Sequence, residues 1–332
     1  MAQNTAASLP YPLCSVPQKK GGKFHMITYK EFSSLEKDLG FSTRTLYTAA
    51  NHMHRHYHSV RIPKGNGEYR QLYVPSEALK MLQRCINTRL LSLEEISPYA
   101  TAYKAGGSTK MNAKLHIGKP VLLKLDIKHF FDNIGYNLLK ENVFTEKRYS
   151  EQIRSLLSIL CLYMGALPQG APTSPTISNI IMRDFDNTVG EWCREKGIAY
   201  TRYCDDMTFS GDFEPQEVIK LVKRELKKLD LSLNKKKTIV ARKGQKQTVT
   251  GIVVNEKLSI PNLYKKQIRQ EMYYCMKFGV ESHLVKANTI ETPETYIPKL
   301  LGRINYVLSI EPNNVDMKRY RDWLMKNKSY LR

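Results

Sequence analysis

Apolar and polar positions change period along this chain, and each change marks a structural element. Residues 26–50 carry helical spacing, and His56 to Pro75 alternates as a strand pair does. A turn-rich tip, Lys64-Gly65-Asn66-Gly67-Glu68, joins the two strands. Glu77 to Leu93 reads as a helix with Leu79, Leu82, Ile86 and Leu90 on one face. Val121 to Ile127 is an apolar run of strand length, interrupted by Lys124. Leu167 to Pro175 is a loop dense in Pro and Gly. Ser174 suits the N-cap of a following helix and Pro175 its first position. Ile177, Ile180, Ile181, Phe185, Val189 and Trp192 then recur along one face of that helix. Tyr200–Tyr203 and Met207–Phe209 alternate as half-buried strands, with Cys204-Asp205-Asp206 as the tip of their hairpin. Leu263–Phe278, Ile297–Leu308 and Val315–Lys326 read as three helices. Residues 1–25 hold Pro10, Pro12, Pro17 and Gly21-Gly22, and read as a loose arm.

Three of these elements carry candidate chemistry. Turn propensity accounts for one acid at a hairpin tip. Two side by side, Asp205 and Asp206, repel unless a cation holds them together. Asp126 closes an apolar strand, where a carboxylate is costly unless it is paired, metal-bound or capping the next helix. If the strand and the hairpin lie side by side, the three acids suit two Mg²⁺ ions roughly 4 Å apart. Gly170 lets backbone approach a ligand closely, and Gln169 beside it is both donor and acceptor. Taken alone, that loop is equally a plain Pro-rich connection into a core helix.

The three motifs together, in this order and at these separations, resemble the reverse transcriptase family. Leu125-Asp126-Ile127-Lys128-His129-Phe130-Phe131 is similar to its first palm motif. Leu167-Pro-Gln-Gly-Ala-Pro-Thr-Ser-Pro175 is similar to the second, and Tyr203-Cys204-Asp205-Asp206 to the third. The resemblance covers about residues 55 to 310. Two further matches narrow it to bacterial retron enzymes: Asn112-Ala113-Lys114-Leu115-His116 before the first palm strand, and Val249-Thr250-Gly251 after the third motif. Two features depart from the pattern. Cys204 stands where Ala is commoner, and Tyr103-Lys104-Ala105-Gly106-Gly107 lacks the usual aromatic-Gly-aromatic order.

The resemblance implies an α+β right-hand polymerase: an arm (1–25), N-terminal helices and fingers (26–120), a palm (121–255) and a helical thumb (256–332). A further fingers segment, about residues 140–166, is interleaved in the palm. It implies Asp126, Asp205 and Asp206 as catalytic metal ligands, helped by the Ile127 backbone carbonyl, with Mg²⁺ or alternatively Mn²⁺ as the metal. Lys64, Arg70, Phe131, Gln169, Gly170 and Lys237 are the implied nucleotide contacts. Phe131 acts as a steric gate against the ribose 2′-hydroxyl, and Lys237, one of three adjacent lysines, is a candidate general acid. Asn112, His116, Val249, Thr250 and Gly251 are the implied RNA contacts. So is Arg303, in the thumb-like Leu300-Leu-Gly-Arg-Ile-Asn-Tyr306. The implied partners are a structured non-coding RNA, its branched RNA-linked DNA product (msDNA), deoxynucleoside triphosphates and a separate effector protein acting against phage.

Composition agrees with a nucleic-acid partner. Lys plus Arg number 52 against 31 Asp plus Glu, a formal net charge of +21. Between Lys220 and Lys246, eleven basic residues face only two acidic ones, Glu225 and Asp230. No membrane span is expected, because the chain has no run of 18 apolar residues, and no membrane-surface partner, because the basic stretch shows no apolar face of an interfacial helix. A start without a basic and apolar leader and six scattered cysteines (14, 85, 161, 193, 204, 275) fit a cytoplasmic protein with reduced thiols. The thumb runs to within about 20 residues of Arg332, which leaves no fused effector domain expected. His52, His54, His56 and His58 alternate. With no carboxylate or Cys beside them they read as a helix end meeting a strand, and a metal site there is rejected. The rival readings are a group II intron-like or other bacterial reverse transcriptase, an RNA-copying RNA polymerase (disfavoured by Phe131), and a non-catalytic RNA-binding scaffold restraining a toxic effector.

Overall fold

A four-stranded antiparallel sheet organises the molecule in the computed structural model, which describes residues 28–63, 67 and 69–326. The expected arm and Lys64 lie outside the described residues. Before the sheet come α1 (Phe32–Leu39), α2 (Thr43–Asn51), and the hairpin β1 (Tyr57–Pro63) and β2 (Tyr69–Pro75). Next are α3 (Glu77–Ile86), extended by a wide turn over Asn87–Leu91, and the short α4 (Thr109–Lys114). The region of the alternating histidines joins the end of α2 to a 3₁₀ turn at Met53–Arg55 and the start of β1.

The sheet contains β3 (Val121–Asp126), β4 (Ala199–Tyr203), β5 (Asp206–Gly211) and β6 (Ile239–Arg242) in the order β4-β5-β3-β6. Side chains alternate between the faces of a strand, so its two faces have different fates. Leu123 and Leu125 of β3, Met207 and Phe209 of β5, and Tyr200 of β4 pack into the larger apolar core. The helices α5 (Tyr136–Asn142), α6 (Glu151–Cys161), α7 (Ser174–Ile181), α8 (Arg183–Glu195) and α9 (Pro215–Lys227) contribute to that core. The other face holds Leu122, Lys124 and Asp126 opposite Ser210, Thr208 and Asp206. Leu122 at its lower end joins a second apolar cluster with the hairpin β7 (Thr248–Val249) and β8 (Ile252–Val253). That cluster also takes in α10 (Asn262–Phe278), α11 (Val280–Lys286), α12 (Pro293–Ile310) and α13 (Val315–Lys326). The upper end of the face, with the acids, stays open.

Several boundaries differ from the sequence reading. Ser174 is the first residue of α7 and Thr173 its N-cap, so Pro175 takes the second helical position. The single apolar face read from Ile177 to Trp192 spans two helices, broken at Met182. The helix expected from Ile297 begins at Pro293. Thr292 and Thr295 form a capping box there, and Pro298 lies inside the helix, where it has no N–H to give to the Glu294 carbonyl. α11, following the left-handed Gly279, was not expected.

Candidate active site

The sheet register brings two of the acids opposite each other, and the third lies in the adjoining turn. Asp126 closes β3 and lies directly opposite Asp206, the first residue of β5, on one face of the sheet. Asp205 occupies the turn between β4 and β5. Cys204 before it takes a left-handed backbone conformation (φ 61°), which lets so short a connection reverse the chain. The Ile127 amide donates to the Asp205 carbonyl at 3.1 Å and ties the turn to the end of β3. From the other side, Asn234 donates its amide to the Asp126 carbonyl at 2.8 Å, and Lys128 donates to Ser232. The acids therefore sit on backbone braced from both flanks.

Electrostatics set the character of this corner. Burial, then the neighbouring Asp205, push the Asp206 carboxyl above its ordinary range; Lys124 and Lys237 oppose the rise and Asp126 adds to it. Lys237 donates to Asp126 Oδ2 at 2.7 Å, and that bond holds its ammonium above the usual lysine range. Asp126 is only 4% exposed, so the ammonium compensates a nearly buried carboxylate. The sequence reading gave Lys124 no role beyond interrupting an apolar run. It lies two residues before Asp126 on the same face, and the period-two rule applied to β3 would have revealed it.

These residues fit a divalent cation by their chemistry. Three carboxylates and the Ile127 carbonyl are hard oxygen donors, and their mutual repulsion is what such an ion relieves. Among the described residues no three His, Cys, Asp or Glu side chains are already drawn together into a metal cluster.

A cleft of about 1660 Å³ opens beside the acids, and much of the expected nucleotide site lines it: Arg70 of β2, Phe131, Gln169, Gly170 and Lys237. Phe131 packs edge-on against Phe130, whose ring is buried (centroids 5.4 Å apart, 63° between planes). The Phe131 carbonyl accepts from the Leu167 amide at 3.2 Å, which fixes the Gln169 loop beside the ring. Gly170 is explained differently from the sequence reading. At φ 147° a Cβ there would lie 2.7 Å from the Tyr73 carbonyl oxygen, so the close approach is to β2.

The expected RNA contacts differ in exposure. Asn112 (1% exposed), His116 (0%) and Val249 (0%) are buried, so their side chains face protein and not solvent. His116 has Nδ1 at 2.7 Å from Ser210 Oγ and Nε2 at 2.8 Å from Thr201 Oγ1, bridging β5 and β4. Asn112 accepts from the Thr101 hydroxyl at 2.8 Å and lies 3.5 Å from the Thr250 hydroxyl. The two short motifs are thus neighbours that brace the sheet beneath the acids. Thr250 and Gly251 lie on the turn between β7 and β8, where Thr250 is partly buried and Gly251 is exposed. Arg303 donates to both carboxylate oxygens of Glu271 (2.7 and 2.8 Å) and lies over the Tyr264 ring, linking α12 to α10. Among the described residues, no helix is long and apolar enough to cross a membrane.

Comparison with known proteins agrees with this geometry. The family described as "Reverse transcriptase (RNA-dependent DNA polymerase)" matches residues 62–259, more than half of the chain. The retron Mx65 reverse transcriptase of Myxococcus xanthus is 32% identical over 69% of this chain and 58% of its own length. The retron Ec83 reverse transcriptase of Escherichia coli is 32% identical over 82% of this chain and 89% of its own. The Ec86 enzyme of the same organism is 32% identical over 65% and 68%. The register that pairs Asp126 with Asp206, the cleft beside them and these matches lead to one assignment: the chain belongs to the reverse transcriptase family, with retron reverse transcriptases as its relatives.

Proposed function

We propose that this protein copies a structured non-coding RNA into DNA by adding deoxynucleotides to a primer hydroxyl, and that the product is the branched, RNA-linked DNA of a retron. The observation that carries the reading is the pairing of Asp126 with Asp206 across β3 and β5, with Asp205 tied to the same corner. Asp126, Asp205, Asp206 and the Ile127 carbonyl are the groups that would hold two magnesium ions, with manganese as an alternative. When bound, such ions lower the pKa of the attacking hydroxyl and neutralise charge on the departing pyrophosphate.

The chain's own residues do the rest. Phe131, fixed by Phe130 and the Leu167 amide, forms the wall that a ribose 2′-hydroxyl would strike, and Gln169 lies along the same wall. Arg70 reaches the cleft from β2, where a guanidinium suits bidentate phosphate contact. Lys64 is the second basic nucleotide contact of the proposal. Lys237, protonated and within the cleft, is positioned to give a proton to the pyrophosphate leaving group. Thr250, Gly251 and Arg303 remain the proposed RNA contacts, since each is exposed or partly so.

In this reading the chain is divided into arm, fingers, palm and thumb. Synthesis starts from a guanosine 2′-hydroxyl within the RNA, and the enzyme works in the cytoplasm with a separate effector in defence against phage. Primer extension by the purified chain on its co-purifying RNA, followed by sequencing of the product, tests the proposal. DNA joined to RNA through a 2′ branch is expected. Synthesis from added linear primers alone would favour another type of reverse transcriptase, and no synthesis would favour the scaffold reading.

A further inference from the structure

The hairpin that carries Asp205 and Asp206 has a second, hidden face. Arg202 of β4 points away from the acids, is 0% exposed, and meets Asp186 of α8, also 0% exposed. Its Nε lies 2.9 and 3.0 Å from the two Asp186 oxygens, and its Nη2 donates to Asp186 Oδ2 at 2.6 Å and Asn179 Oδ1 at 3.1 Å. Tyr200 donates its hydroxyl to the same carboxylate at 2.7 Å. One nitrogen remains, and its partner is informative: Nη1 donates to the carbonyl of Cys204 at 2.9 Å.

A buried ion pair is poor evidence for stability. Desolvation offsets much of its attraction, and apolar residues of similar volume often serve as well or better. What apolar residues cannot supply is a donor aimed at a particular carbonyl. Cys204 sits in a left-handed conformation that disfavours any residue with a side chain, so its peptide needs holding. The next carbonyl, that of Asp205, is held by the Ile127 amide. Both carbonyls of the turn are thus fixed, one by Arg202 and one by β3, and the directions of the two acidic side chains follow from those peptide planes.

We propose that the Arg202–Asp186 pair is a positioning device that holds the Asp205–Asp206 turn in register with Asp126. This rests on reading the three aspartates as the catalytic centre. Asp186, itself held by the Tyr200 hydroxyl, orients the guanidinium, Asn179 accepts from it, and the Cys204 carbonyl receives its remaining nitrogen.

The test uses the full chain with two variants, Arg202→Met/Asp186→Leu, which removes both buried charges together, and Arg202→Lys, which keeps the charge but loses the fork. Thermal unfolding, RNA binding, Mn²⁺ binding by electron paramagnetic resonance without nucleotide, and steady-state kinetics are measured for each. A folded, RNA-binding variant with Mn²⁺ affinity lowered about 10-fold and kcat lowered about 10- to 100-fold, and KM for nucleotide little changed, is the expected result. A folded variant with unaltered Mn²⁺ affinity and kcat overturns the proposal. Failure of both variants to fold also overturns it, since the pair would then serve the core alone. Asp205→Ala, run in parallel, separates the two readings. If it still makes DNA, the centre itself is misassigned and the positioning role falls with it; if it does not, the Arg202 variants alone decide.

Discussion

At the residue scale, the acids stood out in the sequence because two adjacent carboxylates on a tight tip repel, and one closing an apolar strand is costly unless paired, metal-bound or capping. Their helper Lys124 did not, because a lysine inside an apolar run reads only as an interruption until the register is known. Lys124 opposes the rise in the Asp206 carboxyl's proton affinity that burial and Asp205 cause. Replacing it, as in Lys124→Met, is expected to raise that affinity further and shift the acid limb of the pH–rate profile for DNA synthesis upward. An unshifted limb would mean that Lys124 does not act on Asp206.

His116 gives a second prediction at this scale. Burial, with Lys119 nearby, lowers its pKa from 6.5 to about 4. The unfolded chain therefore binds the proton more readily, so stability is full above about pH 6.5 and falls as pH drops toward 4. The loss across that window is about 3 kcal/mol. Urea unfolding at a series of pH values should show it, and His116→Gln should flatten the dependence. An equally steep dependence in the variant would place its origin in other groups.

At the element scale, strongly periodic segments such as α3 and α13 were legible, whereas joints between elements were not. The break at Met182 leaves the apolar spacing almost undisturbed, so two helices read as one. The helix read from Ile297 begins four residues earlier, because the capping box of Thr292 and Thr295 sets its start. Burial was the other thing sequence concealed. Asn112 and His116 look like ligand-binding polar residues, but each finds its partners inside the protein, across contacts such as Asn112 with Thr101 and His116 with Thr201. Asn112→Ala should therefore cost about 1–3 kcal/mol of stability, the penalty for leaving a buried partner unsatisfied, while the folded variant keeps its RNA affinity. Chemical denaturation and a filter-binding assay would check this. Weakened RNA binding at unchanged stability would restore the direct-contact reading.

At the scale of the whole molecule, the strand and helix periods announced a mixed fold, and the order of three motifs announced its arrangement. The division of apolar residues was not announced. The second cluster reaches from Leu122 in the sheet through β7 and β8 into the C-terminal helices, so the face that carries the acids is closed at one end and open at the other. The charge belongs to this scale too. A net +21 spread over such a chain implies counterion release when RNA binds. If about six phosphates are neutralised, raising salt from roughly 50 to 200 mM should weaken binding on the order of a thousandfold. A nearly flat salt dependence would instead point to a small, mainly non-electrostatic contact.

The most direct test of the proposed catalytic centre is DNA synthesis by Asp126→Asn, Asp205→Asn and Asp206→Asn, each assayed beside its affinity for RNA. Each change keeps the side chain's size and removes its charge. Synthesis should fall by about a thousandfold or more in all three, as loss of a charge-stabilising group implies, with RNA binding retained. Robust synthesis by any one of them would contradict the assignment of three acids to a single catalytic centre.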